Sequence, residues 1–469
     1  MFLDYRTIYF HSVFYLLSHP TISFNYFSGL FDVHEKSVNP FLCGKVNTLH
    51  GFQLLEAFHY ALGLVNNKQG IFADKLQGVQ VGGIGLDGCQ SDIRSGFLVS
   101  NIHNGMVSLV KNGKTIDPKE IDAYIGTYSS DSSIYVNRIL NDLNIPQVSY
   151  ASSSTQLKDQ LRYPYFYRTV PADDNQAEAM VDFLDKHNIR YVQVLYTDTS
   201  YGILGSKAFE EAASRKRICV AQMVSYPDEG IVSNEISNDV VTALLQKPVA
   251  NTVVVFAGTN YINALLKAVG RVAGDTSPFK FIGSETWGNS EDAIIGSEKY
   301  ASGSVSLGLE TVNLKVFDEY LGKKTPLNSQ GNPWFSEYYE EIWDCYLSVP
   351  SVNRQKECAQ TARSIPLSTQ YRQDPGVLHV INAVFSSALA LDKALTEVCG
   401  EGYTTVCEAY KNRNDRRDVL LKKLDSVEFE DLSKTNFKFE NREGNKGYDF
   451  YSITIQSVTS GYIYKKVRM

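Results

Sequence analysis

The chain has no Asn-x-Ser/Thr triplet anywhere in its 469 residues, which excludes N-glycosylation of the usual kind. HExxH and GxSxG are absent as well, so the metalloprotease and serine-hydrolase signatures are missing. No CxxC or Cys/His cluster suggests zinc. Beyond the N-terminal region no run of about 18 apolar residues occurs, so the body of the chain offers no membrane span. Basic residues are in deficit, 45 Lys and Arg against 52 Asp and Glu, whereas a nucleic-acid surface would be basic and clustered. Neither an internal repeat nor a low-complexity linker interrupts the chain.

Two nucleotide motifs are near misses. Gly83, Gly85 and Gly88 form a GxGxxG after the strand-like GVQVG, but Cys89 follows at once and no suitable acid lies about 20 positions on. Gly113-Lys114-Thr115 ends a P-loop pattern whose first glycine is replaced by Ser108. No catalytic site, metal or cofactor is therefore expected.

What is present describes a large globular protein. At this length one ordinary core is too small, and two lobes are expected. The 29 Tyr and 24 Phe argue against disorder. From Thr7 to Phe31 there is no Asp, Glu, Lys or Arg, so TIYFHSVFYLL can be read as the apolar part of a secretory signal. Asp4, His11, His19 and Pro20 interrupt that pattern, and the alternative is an unstructured leader (1–19) followed by a first core strand, ISFNYFSGLF. Of seven cysteines, Cys345 and Cys358 flank a polar loop, and Cys399 and Cys407 flank GEGYTTV; both spacings can close as local disulfides. Cys219 lies in a strand-like apolar context and reads as a buried, unpaired thiol.

Strands and helices alternate, as in NTVVVFAG followed by NYINALLKAVGRV and then FKFIGSETWG. The richest stretch, Ile145 to Gly205, holds IPQVSYASSS, RYPYFYRTVPADDNQAEAMVDFL and RYVQVLYTDTSYGILG. In each strand–loop–helix unit here, an apolar strand ends in small hydroxyl, acidic or aromatic residues. Open α/β sheets place small-molecule ligands at such strand ends.

With the landmarks LLEAFHYAL, ALLQKP, GSETW, NPWF and HVINAV, this stretch closely resembles the extracellular ligand-binding Venus flytrap domain of class C G-protein-coupled receptors, above all the metabotropic glutamate receptors. The resemblance runs from GLFDVH to GYIYKKV. It implies an α/β, bilobed, type I periplasmic-binding-protein-like fold: two doubly wound parallel-sheet lobes joined by a three-crossing hinge. Residues 20–172 with 309–430 would form lobe 1, and 173–308 with 431–466 lobe 2. The tail FKFENREGNKGYDFYSITIQ reads as one hairpin, which by the resemblance completes the second lobe. A long-range pair, Cys43 with Cys89, is implied in addition, and three disulfides fit an extracytoplasmic protein.

By position, the resemblance also implies an amino-acid site. Ser130 falls on the hydroxyl that contacts the α-carboxylate; Ala151, Ser152 and Ser153 fall in the segment whose backbone and hydroxyl groups hold both ends. Asp173 meets the α-ammonium, Tyr201 packs on it from lobe 2, and Glu285 supplies that lobe's carboxylate. Asp173 and the serines are expected on the lobe-1 side or the hinge. The chemistry agrees: a zwitterion needs acceptors for three N–H groups and donors for two oxygens, and a Tyr face holds a cation. Taken singly, Asp173 could equally cap its helix and Tyr201 could simply pack.

The side-chain clamp departs from the family. Where glutamate-selective members place basic residues, this chain has Leu54, Gly376 and Ser290, with Lys45 the nearby basic alternative. A charge-assisted hydrogen bond is worth roughly 1.5–3 kcal/mol, so the expected ligand is an amino acid with a neutral or apolar side chain, or a related small amine. The expected partners are this ligand and a second copy of the chain, joined non-covalently through lobe-1 helices such as SSIYVNRILNDL. The loop SNIHNGMVSLVKNGKTIDPKE lacks the cysteine that often links such dimers. A G protein would engage only a membrane domain that this chain does not include, and no nucleic acid is expected. The chain reads as the extracellular part of a receptor: a fragment, a truncated gene model, or a natural soluble ectodomain that is secreted if its leader works. A soluble solute-capture protein and a sensor of another receptor class remain alternatives. Amidase treatment of secreted material is expected to leave its mass unchanged; a loss of mass would show glycans and contradict the sequon reading.

Overall fold

The alternating pattern resolves into two compact units. The computed structural model describes residues 24–467 apart from 40–41, 49, 112–113, 229–231, 311, 330–331, 349, 351–353, 355, 359–363, 445–446 and 456–461. The leader at 1–19 and Gly113 of the P-loop-like triplet lie outside the described residues. Unit 1 takes the chain to Ser152, then Gln160–Thr169 and Thr311–Gly444; unit 2 takes Ser153–Asp159, Val170–Glu310 and the chain from Asn445.

Unit 1 is built on an eight-stranded sheet in the order Glu428–Glu430, Asn436–Glu440, Glu443–Gly444, Phe166–Arg168, Gln147–Ser149, Ile121–Ile125, Phe24–Phe31, Gln80–Asp87. From Glu443–Gly444 onward all its pairings are parallel. Parallel strands need both faces covered, which is why Ile121–Ile125 is buried at every position. One face packs on helices Gly51–Asn66 and Gly376–Cys399, the other on Asp92–His103 and Ser130–Asp142. Helix Gly376–Cys399 is long and apolar enough to cross a membrane, yet 89% of its most apolar window is buried inside the protein. It is a core helix.

Unit 2 repeats the plan with seven strands, Cys219–Tyr226, Tyr191–Thr197, Thr252–Phe256, Lys280–Gly283, Val305–Leu309, Tyr448–Ile455 and Tyr462–Val467 in sheet order. The first four pairings are parallel and the last two antiparallel. Apolar clusters cover both faces. The chain is thus α/β with two parallel-dominated sheets.

Several expectations change. Residues 431–444, expected with lobe 2, belong to unit 1, because Asn436–Glu440 pairs with Glu428–Glu430 and Glu443 pairs with Arg168. The tail is not one hairpin. Asn441 and Arg442 both take left-handed backbone (φ 52° and 67°) and reverse the chain between Glu440 and Glu443, before the NKG stretch is reached. Tyr448–Ile455 then pairs instead with Val305–Leu309. Cys219 is exposed rather than buried, since it opens the edge strand of the second sheet. Gly83 and Gly85 lie inside strand Gln80–Asp87. A side chain at Gly83 would collide with Leu62 at 2.5 Å, so the glycine serves helix-on-sheet packing and cradles no phosphate.

Disulfides Cys43–Cys89, Cys345–Cys358 and Cys399–Cys407 are formed. The first lies beside a buried ion pair. His34 Nδ1 is 2.5 Å from Asp87 Oδ2 and its Nε2 is 3.1 Å from Glu337. His34, Cys43, Asp87 and Cys89 have the ligand atoms of a metal cluster within 4.8 Å of one another, a clustering the sequence did not reveal; the S–S bond takes both thiolates. Burial opposes charge on the His34 ring, but the hydrogen bonds it donates to Asp87 and Glu337, with their negative charges, outweigh it and raise its pKa to about 9. A raised folded-state pKa means stability that is fully present below the ordinary His value of about 6.5 and lost as pH climbs through 9. His34→Gln should therefore lower the melting temperature clearly at pH 6 and little above pH 9.5. A pH-independent difference in thermal unfolding would contradict the assignment.

Candidate functional site

In unit 2, strand Tyr191–Thr197 sits between Cys219–Tyr226 and Thr252–Phe256. The helix that follows it, Ser200–Arg215, packs on one face of the sheet and the helix that follows Thr252–Phe256, Thr259–Val272, on the other, and the carboxyl ends around such a switch form a crevice for ligands. Tyr201 stands here in the first turn of helix Ser200–Arg215, whose start is capped by Thr199 Oγ1 accepting from Gly202 N at 3.1 Å. Gly202 lets the turn close on its strand, since a Cβ there would lie 2.1 Å from the Thr197 carbonyl oxygen. The Tyr201 ring meets Phe256 edge-on at 6.3 Å. Burial, then the Glu285 and Asp173 carboxylates, push the Tyr201 pKa well above its ordinary value, so the hydroxyl stays neutral.

Asp173 opens helix Asp173–Lys186 and is fully buried. It is the first helical residue, not the cap; that position is Ala172, which caps through no side chain. Its N–H donates to the Ser153 carbonyl at 2.9 Å, and its Oδ1 accepts from Gln176 Nε2 at 2.5 Å. Gln176, also fully buried, accepts in turn from the backbone N–H of Glu285 at 3.1 Å. Glu285 follows strand Lys280–Gly283 on a loop held by Thr286 Oγ1 donating to the Ala257 carbonyl at 2.6 Å. Ser154 Oγ meets Ser200 Oγ at 3.0 Å, which ties the segment after Ser153 to the helix bearing Tyr201. Ser153, Asp173, Tyr201 and Glu285 are thus together in unit 2. Residues 153–159 and 170–172, expected with lobe 1, therefore fall in unit 2, with Ser153 directly after a crossing of the chain between the units and Asp173 in the unit its expected bounds gave it: strand pairing ends at Arg168, and helix Asp173–Lys186 packs on the second sheet. Gln176 was missed. Its only sequence signal is its place three residues after an acid on a helix, which is common.

Unit 1 holds the remaining candidates. Ser130 opens helix Ser130–Asp142, which is capped by Ser129, and is 5% exposed. Ser152 is engaged internally. Its Oγ lies 2.8 Å from Ser133 Oγ and 2.9 Å from the Ser129 carbonyl. Ser149 Oγ accepts the N–H groups of Ala151 and Ser152 at 3.3 and 2.9 Å. These hydroxyls shape the strand-end loop.

Leu54, Gly376 and Ser290, the positions expected to lack a clamp for an acidic side chain, are engaged in other contacts. Leu54 is buried, and a Cβ at Gly376 would meet Leu54 Cδ2 at 3.0 Å and Asp374 Oδ1 at 2.9 Å. Leucine thus occupies the room over the glycine. The imidazole nearby, His50, is 2.5 Å from Asp374 and stacked on Tyr128. Lys45 is exposed and pairs with Glu35 at 3.4 Å. Ser290 contributes its carbonyl to Tyr464 at 2.6 Å.

Comparison with known proteins matches residues 53–456 to the receptor family ligand binding region, a span that covers both units. That family includes the extracellular Venus flytrap domains of class C G-protein-coupled receptors and related receptors. Two parallel-dominated sheets, each with polar groups gathered at its strand ends, are the scaffold of a ligand-binding module, and the chain belongs to the receptor family ligand binding region.

Proposed function

We propose that this chain is the extracellular ligand-binding domain of a metabotropic glutamate receptor-like class C receptor, and that its ligand is an α-amino acid with a neutral or apolar side chain. The observation that carries the reading is the set in unit 2: Asp173 and Glu285 linked through Gln176, beside a neutral Tyr201. Two carboxylates and a tyrosine suit an ammonium group. Ser130, the Ala151 backbone and Ser153 are assigned to the α-carboxylate and the rest of the zwitterion; Ser152 acts through its backbone, its hydroxyl being engaged inside unit 1. Three disulfides favour an oxidising, extracellular setting. A ligand that touches both units binds a closed arrangement better than an open one, and only that difference can shift the equilibrium.

The absence of a cation at Leu54, Gly376 and Ser290 supports the neutral side chain. A distal carboxylate buried without a partner is penalised. Calorimetry against the twenty common amino acids should show at least one neutral amino acid binding more tightly than glutamate; glutamate as the tightest ligand would sink the specificity. Asp173→Asn should weaken the preferred ligand by roughly tenfold or more, the loss of one charge-assisted bond, and Tyr201→Leu should weaken it through the loss of the aromatic face, with both variants still folded by thermal unfolding. Parent-like affinity in both variants would show the site to be misassigned.

A homodimer through unit 1 is part of the same reading. Ile93, Phe97 and Tyr135 are exposed apolar side chains on the adjacent helices Asp92–His103 and Ser130–Asp142. Sedimentation at micromolar concentration should give a dimer that Tyr135→Asp disperses; a monomer at all concentrations would refute it.

A further inference from the structure

We infer that Gln176 is a positioning residue for the candidate site, holding the Asp173 carboxylate and the Glu285 loop in one geometry. The inference rests on the amino-acid-binding reading above. Gln176 is fully buried on the inner face of helix Asp173–Lys186, where a polar side chain is costly unless both its ends are satisfied. Both are. Its NH2 donates to Asp173 Oδ1 at 2.5 Å, and its carbonyl oxygen accepts from Glu285 N at 3.1 Å, 109 residues away in sequence.

The chemistry fixes which end is which. A backbone N–H can meet only the amide oxygen, and a carboxylate can meet only the amide NH2. No other side chain of this length does both. Leucine has the size and neither bond. Glutamate keeps the acceptor for Glu285 but sets a second carboxylate against Asp173. Asparagine is one methylene too short to bridge the two. The bland alternative is a local helix contact between positions 173 and 176; it accounts for the first bond but not for the one to Glu285, which arrives from a different strand end. Because one amide holds the Asp173 carboxylate and the backbone of the Glu285 loop, a disturbance at Gln176 reaches both.

The pH behaviour separates positioning from mere packing. In Gln176→Glu two carboxylates at hydrogen-bond distance cannot both ionise easily, so one keeps a proton at a strongly raised pKa. A ligand ammonium favours the ionised form. Its binding to Gln176→Glu should therefore tighten as pH rises through that pKa, giving a pH profile that differs from the parent's.

The test is calorimetry of the purified chain and its Gln176→Leu and Gln176→Glu variants with the twenty common amino acids, from pH 5.5 to 8.5, with thermal unfolding alongside. We expect Gln176→Leu to weaken the best-binding amino acid tenfold or more. We expect Gln176→Glu to bind with a new pH dependence, tighter at high pH. If the folded variants bind as the parent does, with the parent's pH profile, positioning by Gln176 is refuted while the functional reading stands. If the parent binds none of the amino acids, the functional reading fails and this inference with it.

Discussion

A parallel strand buried on both faces can expose polar chemistry only at its ends. That constraint governs this protein. Strand Ile121–Ile125 has no solvent-facing residue, and Thr252–Phe256 in the second sheet has none either. With helices on both faces of each sheet, groups meant for a ligand are left the loops where strands hand over to helices. Ser130, Ser153, Asp173, Tyr201 and Glu285 all occupy such handovers.

Holding those loops takes buried polar bonds, and the protein uses short side chains for the purpose. Ser149, Ser152 and Ser133 pin the loop after strand Gln147–Ser149 to the carbonyls of Thr127 and Ser129. Thr286 and Gln176 do the same for the Glu285 loop. Deeper in unit 1, Glu56 shows how a buried charge is accommodated: burial alone would raise its pKa, but His59, Lys324 and Asn332 hold it down at about 2. Asn332 of the NPWF segment donates to it at 2.6 Å, and Tyr320 at 2.9 Å. Such polar bonds restrict the chain to one arrangement, because an unmade buried bond costs more than a made one gains.

The candidate residues were legible in the sequence through the resemblance, but the bonds that hold them were not. Asp173, Tyr201 and Glu285 stand out because each ends a strand-to-helix turn in a recognisable register. Gln176 does not, because a glutamine inside a helix is ordinary and its partner lies 109 residues on. Cys219 misleads for a related reason. The apolar run around it predicts burial, but burial at a strand's start depends on whether the strand is central or at the edge, and it is at the edge here.

The sequence by itself determined the α/β alternation, the two-unit size, the family and the local cysteine pairs. Each of these is carried by local composition, spacing or direct resemblance. Only the tertiary structure decided that residues 431–444 join the first sheet, that Ser153 falls in unit 2, that the Ser152 hydroxyl faces inward, and that Gln176 joins the Asp173 carboxylate to the Glu285 backbone. Those outcomes turn on strand order and on contacts between segments far apart in the chain, and neither periodicity nor composition encodes which distant strand end a side chain will meet.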